Sequence, residues 1–73
     1  MDILFTTNVI INGISKGFDV FFENEQYVFK PEDVGEGFSL SRIDDEWHIA
    51  GNLPEIAQGQ AIHALENYLL SQH

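Results

Sequence analysis

The sequence predicts an α+β fold: an antiparallel β-meander of four to five strands, with one C-terminal α-helix packed across one face in two layers. Three observations predict it. Up to residue 50, short runs of alternating apolar and polar residues are separated by two-residue turn pairs. After Gly51 the apolar spacing changes from about 2 to about 3.6. The helical stretch also carries alanines where the strands carry aromatic rings, so small residues face large ones between the layers.

The first strand, residues 3–11, ends at Asn12-Gly13, the strongest short hairpin signal. A two-residue turn there pairs Ile11 with Ile14, Thr7 with Phe18, Phe5 with Val20 and Ile3 with Phe22. Gly17 is expected to host a bulge near the open end of that pairing. The second strand, 14–23, turns at Asn24-Glu25 into the third, 26–30, pairing Phe22 with Tyr27 and Val20 with Phe29. Both turns bring the same apolar face together, and a slip of one residue would break that agreement. PEDVGEG, residues 31–37, is a loop, ending the third strand at Pro31 and turning on Gly35 and Gly37. The fourth strand, 38–43, alternates strictly, Asp44-Asp45 makes a turn, and the fifth strand is 46–50. That turn pairs Leu40 with Ile49 and Arg42 with Trp47, setting the guanidinium over the indole.

The helix is predicted over 53–71. Asn52 reads as its N-cap, Glu55 as the capping-box partner, and Pro54 sits in the first turn, where no intrahelical hydrogen bond is lost. Ala57, Ala61, Ile62, Ala64, Leu65, Tyr68 and Leu69 fall in one stripe, with Glu55, Gly59, His63 and Glu66 opposite. The sheet supplies the bulk through Phe5, Phe18, Phe22, Phe29, Phe38 and Trp47.

A chain of 73 residues with 44% hydrophobic content is one domain, 1–73, with a thin stability margin. Twelve acidic residues against three basic ones give a net charge of −9. Nucleic acid and anionic membrane surfaces would be repelled. A protein with a basic surface, or a second copy of the chain, remains as a partner, and solubility is the plain alternative for the charge. There is no cysteine, hence no disulfide framework and no thiolate nucleophile. MDILFTTNVIING has neither a basic segment nor a long apolar run, so neither a secretory signal nor a membrane span is expected, and the expected location is cytoplasmic.

One stretch resists the two-layer pattern. In FDVFFENEQYVF, residues 18–29, Phe18, Val20, Phe22, Tyr27 and Phe29 share a face, which leaves Phe21 and Val28 on the other. Carrying the registers across places Leu4 opposite Phe21 and Phe21 opposite Val28. The next row is Thr6, Asp19 and Lys30, in which Asp19 and Lys30 pair as opposite charges. On the far side lie Asp2, Glu23 and Gln26. An apolar row rimmed by charge is the anatomy of a contact patch, so Leu4, Phe21, Val28, Asp19 and Glu23 are the candidate partner-binding residues. The plain alternative is an ordinary sheet exterior, or a row covered by the 31–37 loop through Val34.

Chemistry finds little foothold. The acidic clusters at Glu23 with Glu25, at Glu32-Asp33 with Glu36 and at Asp44-Asp45-Glu46 all sit at turns. PEDVGEG has oxygens and glycines but not the spacing of a calcium loop. Ser41 and His48 lie opposite each other, which suggests a nucleophile and its base, but on a flat sheet with no cleft and no orienting carboxylate. His63 falls on the polar side of the helix, no two histidines have metal-ligand spacing, and there is no phosphate loop and no CxxC. No catalytic residue, metal or cofactor is expected. The function predicted is a non-enzymatic protein-interaction domain, adaptor- or inhibitor-like. A carrier of a small apolar ligand between helix and sheet is the alternative, and a hydrolase using His48 the more distant rival.

The stretch EWHIAGNLPEIAQGQAIHALENYLLSQ, residues 46–72, resembles small bacterial proteins of uncharacterised role that close a strand meander with one helix. The resemblance spans about a third of the chain and implies a bacterial cytoplasmic protein. It carries no activity.

Overall fold

The computed structural model describes residues 2–72. It has five antiparallel strands, β1 (Phe5–Ile11), β2 (Ile14–Glu23), β3 (Gln26–Pro31), β4 (Phe38–Ile43) and β5 (Glu46–Ala50), followed by helix α1 (Glu55–Ser71). The strands form one curled sheet in chain order, the predicted meander with its C-terminal helix.

The turns set the register. Asn12-Gly13, Asn24-Glu25 and Asp44-Asp45 all hold positive φ at both positions, between 51° and 80°. That backbone twist matches the twist of paired strands, which is why two-residue hairpins favour it. The predicted rungs follow: Ile11 with Ile14, Thr7 with Phe18, Val20 with Phe29, Phe22 with Tyr27, and Leu40 with Ile49. Arg42 pairs with Trp47, and its guanidinium carbon lies 5.2 Å from the indole centroid.

The sheet departs from expectation at two places. The regular ladder of β1 stops at the Phe5–Val20 rung. The Leu4 N–H donates to the Val20 carbonyl at 2.8 Å, the residue that Phe5 already faces. The chain is thus one residue out of step, and the predicted pairs Leu4–Phe21 and Ile3–Phe22 do not form. Gly17 hosts no bulge, because it stays in the ladder opposite Asn8. Two flexible polar side chains come close to it instead. A Cβ there would run into the Glu32 carboxylate and the Asn8 side-chain oxygen, and the Glu32 N–H donates to the Gly17 carbonyl at 3.0 Å.

The helix begins two residues later than predicted. Pro54 is the N-cap residue, with φ −57° and ψ 148°, and no side chain caps the first turn. The Asn52–Glu55 capping box does not form. A proline holds its predecessor out of the α region, and Leu53, so extended, is drawn into the core. The Gln58 side-chain amide donates to the Leu53 carbonyl at 2.8 Å, satisfying one group at this end.

Small against large builds the core as predicted. Ala57, Ala61 and Leu65 of α1 meet Val9, Phe18, Val20, Phe29, Phe38 and Leu40 of the sheet. Phe38 packs on both neighbouring rings, stacked on Phe29 at 4.6 Å and edge-on to Phe18 at 5.2 Å. Phe5 stacks on Tyr68 at 4.5 Å and ties β1 to the last turns of the helix. Phe22 is the exception among the predicted core rings, with 49% of its surface exposed. Its predicted partner Ile3 is not in the ladder, so it packs sideways on Tyr27 at 4.9 Å.

Candidate interaction surfaces

With α1 on the concave face, the outer face of the sheet carries the residues the sequence singled out. Phe21 and Val28 form a rung, continued by Ser39 and Ala50 on β4 and β5. Both apolar side chains are half-buried rather than free. Lys30 lies over Phe21, with Nζ 4.9 Å from the ring centroid. Such a cation on a ring contributes about 0.5–1 kcal/mol at exposed sites. This is what an acidic chain does with a phenylalanine on its wet face: the lysine ammonium sits over the ring while still exposed to water.

Of the other predicted residues, Leu4 is half-buried outside the ladder and so leaves the row. Asp19 does face Lys30 in register. The two do not close to an ion pair, and the ammonium lies over Phe21. Among the described residues the ion pair that forms is Lys16 to Asp33, at 4.0 Å. Glu23 stands opposite Gln26 beside the turn. The 31–37 loop leaves the row uncovered, since Val34 is 87% exposed.

Ser41 and His48 form a rung, as predicted, on the same face. No hydrogen bond joins them among the described residues, and no group of three or more His, Asp or Glu side chains is gathered there in metal-binding geometry. Surface grooves run beside the helix. One, about 560 Å³, lies between β1 and α1 and is lined by Phe5, Thr7, Asn8, Gln60, His63 and Tyr68. No helix among the described residues is long and apolar enough to cross a membrane.

The two edges of the sheet were not singled out by sequence reasoning, and they differ. Main-chain polarity alternates along an antiparallel strand, so every second residue points its N–H and C=O away from its ladder partner. The two-residue turns fix which ones. On β1 they are Thr6, Asn8 and Ile10, and on β5 they are Trp47 and Ile49. The helix holds the β1 edge at Ile10: that residue's N–H donates to Gln60 Oε1 at 3.0 Å, and Gln60 Nε2 donates back to its carbonyl at 3.0 Å, while Thr6 and Asn8 have no such partner among the described residues. One side-chain amide thus imitates a rung of a neighbouring strand. On β5 neither Trp47 nor Ile49 has a main-chain partner on the open side among the described residues. The Trp47 indole N–H is also buried without an acceptor. A glutamine on the flank of the helical stripe was the available signal for the first edge. For the second it was that the last strand of a meander has a neighbour on one side only.

Comparison of the chain with protein-family models, with curated proteins and with solved structures gives no match.

Proposed function

We propose that this protein is a small, acidic, non-enzymatic interaction domain, adaptor- or inhibitor-like, that binds a protein partner with a basic surface through the side of its sheet that the helix leaves uncovered. The carrying observation is that outer face. It presents the Phe21–Val28 rung with Asp19 and Glu23 to either side, on a chain of net charge −9. An apolar strip with a charged rim gives contact area, and the surplus acid steers a basic partner toward it. Absence of cysteine fits a reducing compartment, and we place the protein in the cytoplasm. The packed core speaks against a carrier of an apolar ligand. Phe18, Val20, Phe29, Leu40, Ala61 and Leu65 fill the space between helix and sheet, each at most 1% exposed.

The test is affinity capture at low salt with wild type and Phe21→Glu as baits. The variant keeps its fold, because Phe21 lies outside the core cluster, which circular dichroism checks. A basic protein held by the wild type, released by salt and lost from the variant supports the reading. Equal recovery by both baits removes the outer face from it.

A further inference from the structure

Resting on that reading, we propose that the partner engages the free edge of β5 as an extended basic segment, adding a sixth strand to the five-stranded sheet. Three observations lead there. First, Trp47 and Ile49 offer two N–H donors and two C=O acceptors in a row, spaced as a strand requires, with no partner on that side among the described residues. Such an edge is a template for an added strand unless something blunts it. Second, the helix interrupts the β1 edge at Ile10, whereas no side chain crosses β5, which has only its shortness and its local acid to blunt it. The Gln60 amide takes both main-chain groups of Ile10 and leaves Thr6 and Asn8 of the first edge without a partner on the open side among the described residues. The second has no proline, no lysine and no covering side-chain amide. Third, the turn end of this edge is acidic, although Arg42 across the rung from Trp47 holds its guanidinium over the indole. Asp44 and Asp45 form the turn leading into β5 and Glu46 opens the strand, with no basic residue between 43 and 54.

Those features define the occupant. Residues of the added strand that lie beside Trp47 and Ile49 face the concave side, where both side chains pack against the core, and they are apolar. The alternate residues lie beside Glu46 and His48 on the outer face and near the acidic turn, and they are lysine or arginine. The segment alternates apolar and basic residues. A second copy of this chain is the wrong charge, since pairing would bring −9 against −9.

The experiment uses the whole chain and a blocked seven-residue peptide of alternating lysine and valine as probe, read by amide hydrogen exchange and NMR shifts. A second peptide of the same sequence is N-methylated at every other residue. It keeps its charge but cannot donate along one edge. At a free peptide concentration about ten times the dissociation constant, exchange at the Trp47 and Ile49 amides slows about tenfold, while the N-methylated peptide leaves it unchanged. Neutralising the turn as Asp44→Asn with Asp45→Gly, a pair that favours this turn type, weakens binding about threefold or more and flattens its salt dependence. Shifts confined to Phe21, Val28 and their neighbours overturn the edge while leaving the outer-face reading standing. Equal binding of the two peptides, or no response at Trp47 and Ile49, also overturns it. Protection at those two amides that is present without peptide and grows with protein concentration assigns the edge to a second copy and overturns it as well.

Discussion

The edges of this sheet face the same physical problem and meet it differently. Each outer strand has main-chain groups that no strand of the sheet can pair. On β1, seven residues long, the helix lies alongside and Gln60 takes both groups of Ile10. On β5, five residues long, Trp47 and Ile49 keep theirs free. The difference follows from connectivity. β5 leads through Gly51–Pro54 into the helix, and the helix crosses the concave face toward the far side of the sheet, where β1 lies. Its start is fixed by Leu53 in the core, and its later turns by Leu65 in the core and the Phe5–Tyr68 stack. A single helix of 17 residues reaches one edge of a five-stranded sheet, and there it covers Ile10 while Thr6 and Asn8 stay without a partner among the described residues. The other is left to strand shortness and local charge, which are weaker defences.

The strongest way to break the contrast is to loosen the helix. Leu65 is fully buried between α1 and the sheet. Leu65→Ala removes its contacts and leaves a cavity, lowering stability by about 2–5 kcal/mol in urea denaturation. In a domain with so thin a margin, a large part of the population unfolds. Under conditions where the variant still folds, exchange at the Ile10 amide rises, because its acceptor sits on the loosened helix. Trp47 and Ile49 are fast already and do not change.

A narrower cut makes the edges alike without touching the core. Gln60→Ala removes the acceptor of the Ile10 N–H and the donor to its carbonyl. Both bonds are exposed, so water replaces them in part and the loss is about 1 kcal/mol. The Ile10 amide then exchanges as fast as those of Trp47 and Ile49. If it stays slow, the helix backbone and not the glutamine guards β1.

The contrast also marks what the sequence could and could not disclose. The turn pairs Asn12-Gly13, Asn24-Glu25 and Asp44-Asp45 fixed the registers of three hairpins, because a two-residue loop leaves a single pairing for the flanking strands. The alanines of α1 disclosed the helix–sheet packing by volume alone. Three errors share another cause: each was decided by tertiary contact. Leu4 slipped out of its row because its N–H reached the Val20 carbonyl. Gly17 invites a bulge by its residue type but stays in the ladder, next to the Glu32 side chain from the loop after β3. Asn52 has the residue type of an N-cap, but Leu53 is buried and the helix starts after Pro54. At the candidate site, the Phe21–Val28 rung was legible from register, but its covering by Lys30 was not. Opposite charges in one rung point to an Asp19–Lys30 pair, and only the structure sets the lysine over the diagonal ring. The Gln60 clasp joins residues fifty apart in the chain, and no local pattern carries it.

The smallest expected effect separates the hairpin that holds β5 in place from the edge that β5 exposes. Asp45 sits at φ 64°, where an L side chain costs about 1–2 kcal/mol and glycine does not. Glycine also loosens the unfolded chain, which offsets about 0.4–1 kcal/mol of that gain. Asp45→Gly therefore stabilises the domain by about 0.5–1 kcal/mol, seen as a higher urea midpoint with an unchanged slope. The gain falls on the ladder between β4 and β5. The His48 amide, which points toward Ser41, exchanges more slowly in the variant. Trp47 and Ile49 on either side of it stay fast, because a firmer hairpin supplies their open side with no partner. Slowing at all three residues together would mean that the outward amides are protected by something other than a strand, and the two edges would then differ less than their hydrogen bonds indicate.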